Sequence, residues 1–436
     1  MSRGRGLAFT AIMILVVLVG VEAAAFVIFA IADKEIVSYA RLADDRRRVM
    51  SEGASLLGEG RRESAGDEIA STRVMAIHPF LGYVLDPNLA RKLHPDIDEF
   101  GFTRNPEGIV LKRRPDRLLV GVVGGSVAQI LAYHSAGLLP QLENSPLLAG
   151  RRVMVVTLAN GGYKQPQQLM ALNYLLALGG ELDVLVNIDG VNDVSLAPAD
   201  NVPHGVHPLF PHEWRGFVGA ITEPRAQRLL GKAAYLASVR EGLARRADSR
   251  PLRYSLTAQL AWRSVDRRLS SSRTAALLEL QQMKLGPLPF SATGPRTRYR
   301  DEAELYQELA SAWKRCSLQL ARLAAANGIR YHHFLQANQY FPGSKPMDDS
   351  ERRVALAPVS PFRTGVEKGY PLLRQRGQEL KAEGVAFHDL TMMFAGVAKP
   401  VYIDNCCHYN AEGLDRLGHE VTAAILKDLE ASPPRD

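Results

Sequence analysis

The feature that most constrains this chain is a rhythm of apolar runs separated by stretches with helical period. The runs are 118–123, "VMVVTL" at 153–158, "VLVNI" at 184–188, "IRYHHFL" at 329–335 and "VAFHDL" at 385–390. Between them lie segments such as "QPQQLMALNYLLALGG" and "ELYQELASAWKRCSLQLARLAAANG". Strand runs alternating with helices predict an α/β fold with a mostly parallel, five-stranded sheet covered on both faces. Hydrophobic residues make up 46% and charged ones 23%, enough to bury a large core with no disordered or collagen-like bias. No internal repeat is visible. "HPFLGYVLDPN" at 78–88, with its prolines and glycine, reads as the loop that opens the globular part.

Two segments fall outside the rhythm. Leu7 to Ala32 is a run of 26 residues interrupted by one charge, Glu22. As a helix rising about 1.5 Å per residue it is long enough to cross a hydrocarbon core of about 30 Å. Glu22 costs a few kcal/mol there unless it meets a polar partner or lies toward an interface. Cleavage as a signal peptide at "AAA" (23–25) would leave "FVIFAIA" as an apolar tail, so the run is read as an uncleaved transmembrane anchor over residues 1–32. A polar helical neck follows at 33–77, and the globular domain occupies 78–436. Five Lys and Arg follow the span closely and two precede it, a count that opposes an outward-facing domain.

The second segment lies between the third and fourth runs, where about 140 residues replace an ordinary crossover. The insertion, at about 195–300, is basic: residues 225–300 carry sixteen Lys and Arg against four Asp and Glu, on a chain whose net charge is +7. Its pattern is amphipathic helix with Arg on the polar face, which fits a solvated cap, a surface held against anionic lipid, or a cradle for an acidic polymer. Without a recognised binding motif, charge alone argues little for nucleic acid. Three cysteines (Cys316, Cys406, Cys407) give no disulfide framework and no zinc spacing.

In open α/β sheets, ligands bind outside the carboxyl ends of the strands. Residues just after the runs are Gly124, Gly125 and Ser126, then Asn160, Gly161 and Gly162, then "DGVND" at 189–193, and finally "YIDNCCHYNAEG" with Asp404 and His408. A serine hydroxyl needs a base to become a nucleophile, and the base needs a carboxylate to hold its tautomer. An oxyanion needs preorganised donors, which the N–H groups of Ser126 and Gly162 and the amide of Asn192 could supply. Asp415 and His419 share the spacing of Asp404 and His408 but sit in a terminal helical pattern and read as structural; Cys406 and Cys407 read as packing beneath the histidine.

The blocks "GGS", "NGGY", "GVND" and "DNCCH", in that order, resemble those of the SGNH (GDSL-type) hydrolase and acyltransferase superfamily. The resemblance spans residues 124–408 and covers neither the anchor nor the insertion. It implies a flavodoxin-like three-layer sandwich, with Ser126 as nucleophile, Gly162 and Asn192 as oxyanion donors, His408 as base and Asp404 as its partner. It further implies a serine esterase or O-acyltransferase acting on ester-linked acyl groups, O-acetyl groups on envelope or exported glycans among them. No metal or organic cofactor is implied. With the anchor, it places the catalytic domain on the extracytoplasmic (periplasmic) side of the inner membrane.

The chain departs from the family pattern twice. The first block lacks the usual Asp before Ser126, and the last spaces Asp404 and His408 by four residues instead of three, leaving Asn405 in the usual carboxylate position. Either the loop bulges to bring Asp404 in, or His408 relies on another acceptor. "GGSVA" also comes near the Gly-x-Ser-x-Gly elbow of α/β-hydrolases, but here the serine follows the first clear strand and the Asp and His arrive as one block. A glycan-binding member without turnover and a membrane-tethered scaffold are the non-enzymatic alternatives.

Overall fold

A computed structural model describes residues 3–33, 36–52, 75–90, 96–103, 105, 107–134, 138–222, 224–282 and 289–431. The chain divides into two compact units, Met1–Ile69 with Ala220–Pro287, and Ala70–Gly219 with Leu288–Asp436.

The larger unit opens with a two-stranded antiparallel hairpin, β1 (Met75–His78) and β2 (Gly82–Leu85). This corrects the loop expected at 78–88. The Pro79–Leu81 turn closes at Gly82 with φ of +83°, a left-handed value that glycine takes without penalty, so "GYVL" can run back along "MAIH". The main sheet follows as β3 (Arg117–Gly124), β4 (Arg152–Thr157), β5 (Val184–Asp189), β6 (Arg330–Leu335) and β7 (Ala386–Asp389), each within a residue or two of its apolar run. Their spatial order is β4-β3-β5-β6-β7, and every pairing is parallel. All eight residues of β3 and all six of β5 are buried, as expected for the inner strands of a parallel sheet among surrounding helices. From β3 the chain moves to β4 on one side, while β5 leads to β6 on the other. The carboxyl ends of β3 and β5 therefore flank the point where strand order reverses, the usual crevice of such sheets.

Buried polar groups stiffen this floor. Asp189, at the end of β5, accepts from Trp313 Nε1 at 2.7 Å and Asn187 Nδ2 at 2.9 Å and lies 2.8 Å from His333 Nε2. Burial pushes its carboxyl up, but the charge and hydrogen bond of His333 and the Trp313 and Asn187 donors outweigh that and hold it below the usual range. Both histidines of "IRYHHFL" are buried; His332 stacks on His388 and Phe334 instead.

The smaller unit is helical. It contains the apolar N-terminal helix Arg3–Asp33 (the expected anchor), the neck helix Tyr39–Glu52, and a hairpin of two long helices, Pro224–Asp248 and Leu256–Gln282. Residues 53–74 of the expected neck lie outside the described residues. Among the described residues one helix is long and apolar enough to cross a membrane, over Ile12–Ala32. Its large side chains from Ile12 to Val19 stand exposed, as they would if lipid, not protein, were their solvent. In the hairpin, not every arginine lies on the polar face. Arg240 is buried against Asp266, with Nε 2.8 Å from Oδ1, and Arg46 of the neck helix is buried between Asp248 and Gln259. Pairing makes this burial tolerable, since an unpaired guanidinium would carry the full desolvation cost.

Candidate active site

Ser126 is the first residue of the helix Ser126–Tyr133, directly after β3. The turn works because Gly124 has φ of +144° and no Cβ; a Cβ there would lie 2.1 Å from the Ile188 carbonyl oxygen of β5. Any side chain would force the two central strands apart at the site. Gly125 repeats the constraint on the other neighbour: a Cβ would come within 2.5 Å of Asn192 Nδ2, so the amide of Asn192 lies against the residue preceding the serine.

Ser126 meets the end of the chain. His408 Nε2 lies 2.7 Å from Ser126 Oγ, and His408 Nδ1 bonds to Asp404 Oδ2. The structure thus brings together all three residues of the expected relay. It also resolves the four-residue spacing: Asp404 Oδ1 accepts the N–H groups of Cys406 (2.9 Å), Cys407 (3.0 Å) and His408 (3.3 Å). The loop wraps tightly around its own carboxylate, and this bulge absorbs the extra residue. Burial pushes the Asp404 carboxyl up, yet the hydrogen bond and charge of His408 and these N–H donors outweigh it, so it stays below its usual range. An ionised Asp404 fixes Nδ1–H and leaves Nε2 as the acceptor facing the serine hydroxyl.

On the opposite side, the N–H groups of Ser126 and Gly162 donate to no other group among the described residues. Asn192 Nδ2 gives one hydrogen to the Tyr163 carbonyl at 2.9 Å and keeps a second. Gly162 has φ of +75°, with Tyr83 Oη 2.7 Å and His212 Cδ2 3.5 Å from where a Cβ would sit. Asp193 ties the two loops together, accepting Gln165 N–H at 2.7 Å and Gly190 N–H at 3.1 Å. Burial and the nearby Asp189 charge raise its carboxyl above the usual range.

Several positioning residues carry no motif that sequence reading could have found. Asn338 Nδ2 donates to the Cys406 carbonyl at 2.8 Å, Gln339 Nε2 to that of Asp404 at 3.1 Å, and Tyr340 Oη to that of Asn405 at 3.0 Å. Glu351 accepts the N–H groups of Val401 and Tyr402 at 2.7 and 2.9 Å, and Lys345 lies 2.8 Å from its other oxygen with both side chains fully buried. Lys164, two residues after Gly162, donates to the carbonyls of Pro208 and Phe210, the latter at 2.6 Å; burial lowers it to about 8. The nearest sequence signal was adjacency: "QANQY" follows β6 as the other blocks follow their strands.

Cys406 and Cys407 are buried, with their sulfurs 2.8 Å apart. Together with His408 they form the one group of metal-capable side chains found among the described residues, their ligand atoms within 4.8 Å of one another. Asp415 and His419 lie exposed on the helix Ala411–Ala431, away from Ser126's partners.

No known family model matches the chain, and no curated protein matches it.

Proposed function

We propose that this chain is a membrane-anchored serine esterase of the SGNH type, with a flavodoxin-like three-layer domain, that cleaves ester-linked acyl groups through an acyl-Ser126 intermediate. The observation that carries the reading is the relay Ser126 Oγ to His408 Nε2 at 2.7 Å, with Asp404 bonded to the far nitrogen. In the reaction, Ser126 Oγ attacks the ester carbonyl carbon as its proton passes to His408 Nε2. The oxyanion is held by Ser126 N–H, Gly162 N–H and the free hydrogen of Asn192 Nδ2. His408 then returns the proton to the leaving alcohol oxygen, and the C–O bond breaks. Water, deprotonated in turn by His408, releases the carboxylic acid and restores the serine. The substrates that fit the resemblance and the anchor are O-acetyl groups on envelope or exported glycans, with the domain on the extracytoplasmic side; the basic insertion would add contact with anionic lipid.

The test is labelling of the full chain in detergent with a fluorophosphonate, the adduct located by peptide mass spectrometry. The expected result is an adduct on Ser126 that disappears in His408→Ala. A folded chain with no adduct on Ser126 would leave the glycan-binding or scaffold alternatives standing instead.

A further inference from the structure

Glu22, the one charge in the apolar run, has a partner. Its carboxylate accepts from Ser255 Oγ at 2.5 Å and from the N–H groups of Leu256 and Thr257 at 2.7 and 3.4 Å. It therefore caps the 27-residue helix Leu256–Gln282, where exposed N–H groups and the helix dipole favour an anion. One turn on, Ala25 and Phe29 pack with Leu42 and Leu256, and Arg263 stands 5.5 Å over the Phe29 ring. The turn 249–255, the tip of the helical hairpin, is thereby fixed beside the anchor helix at the level of Glu22.

That level lies inside the apolar run. A hydrocarbon core of about 30 Å takes about 20 helical residues. Counted from Leu7, the first residue after "MSRGRG", it reaches Phe26. Glu22 is four residues, about 6 Å, inside that limit, and ten residues inside Ala32, where the apolar stretch ends. Phe26, Val27, Ile28 and Ile31 remain exposed, so the apolar surface does not stop where the hairpin begins.

The tip is built for such a place. Leu252 and Tyr254 are 41% and 59% exposed, and Tyr39, 47% exposed, donates to the Tyr254 carbonyl at 3.1 Å. Tyrosines favour the membrane–water interface, where the ring is apolar and the hydroxyl wet. Asp248, at the base of the tip, pairs with both Arg253 of the tip and Arg46, whose Nη2 and Nε lie 2.8 and 2.9 Å away. Arg250 can extend its head toward phosphates along its own apolar stem.

We propose that the tip 249–255, with Tyr39, is inserted into the acyl–headgroup boundary of the bilayer crossed by the anchor helix, and that Glu22 holds it there. The partner of this surface is lipid. The proposal rests on the reading that the anchor helix spans a membrane.

The experiment uses the full chain in nanodiscs of phosphatidylcholine and phosphatidylglycerol, with a trace of phosphatidylcholine bearing a diazirine high on its acyl chain. After photolysis, adducts are mapped by peptide mass spectrometry. Adducts on 249–255 and on the peptide containing Tyr39, alongside those on the anchor helix, are expected. Adducts on the anchor helix with 249–255 clean would overturn the proposal while leaving the anchor intact. A chain with no adducts on Ile12–Val21 would overturn the membrane-spanning reading and the tip proposal with it. In Glu22→Leu, adducts on 249–255 should fall several-fold while those on Ile12–Val21 persist; unchanged tip adducts would overturn the role of Glu22.

Discussion

The two halves of the candidate site are held by different forces. Ser126 and Asn192 stand just past the ends of β3 and β5, whose buried residues and parallel ladder, Gly124 opposite Ile188, place them, with Asp193 tying the adjoining loops. Asp404 and His408 lie on a loop without regular structure. There the backbone is held by side chains, with Asn338, Gln339, Tyr340 and Glu351 each bonding to loop carbonyls or N–H groups. A strand-borne position is fixed by many weak contacts and tolerates the loss of one. A loop-borne position depends on a few directional bonds, and each is felt.

The largest effect expected on this comparison comes from the acid itself. Asp404→Asn should lower the rate of Ser126 phosphonylation by about 10³–10⁴-fold, because the imidazole loses the anion that fixes its tautomer. Restoring a carboxylate at the usual position, in Asp404→Asn with Asn405→Asp, should not rescue it, since the Asn405 side chain is exposed. Rescue would mean that the bulge does not hold the loop. Asn192→Ala, on the strand-borne side, should cost about 10²-fold in the same assay through one lost oxyanion donor, with a small change in melting temperature.

Lys164, which holds the carbonyls of Pro208 and Phe210 beside the Gly162 loop, makes a pH-dependent prediction. Its folded value, about 8, lies below the ordinary 10.5, so between these values the unfolded chain binds the extra proton. Stability from this group therefore rises with pH from about 8 to about 10.5, by roughly 3 kcal/mol at most. In Lys164→Met that rise should be absent from denaturant titrations of the detergent-solubilised chain across the same range; an unchanged rise would assign it elsewhere. The smallest effect is Tyr340→Phe. Losing the bond to the Asn405 carbonyl should cost about 1 kcal/mol and slow labelling a few-fold. An equal slowing from deleting a strand-borne bond that only positions the backbone, such as that of Asn187 to Asp189, would erase the contrast between the halves.

Much of the fold was legible because its signals are local. The five runs became five strands, and "QPQQLMALNYLLALGG" became the helix Gln167–Ala177, since apolar periodicity reports a segment's own burial. The hairpin Met75–Leu85 was missed because its strands are only four residues long and surround a proline and glycine turn. Arginine was expected on the polar face of the insertion because helical period shows which way a side chain points, but not that Asp266 is there to pair with Arg240.

By itself, then, the sequence determined the α/β rhythm, the long apolar N-terminal helix, and the residue types brought to the strand ends: Ser126, Gly162, Asn192, Asp404 and His408. These follow from chemistry and period along a single segment. The order β4-β3-β5-β6-β7, the choice of Asp404 over Asn405 as the histidine's partner, and the capping of Leu256–Gln282 by Glu22 were decided only by tertiary structure. Each joins groups distant in the chain or depends on how a loop wraps, and no local pattern encodes which directional bonds the folded backbone will offer.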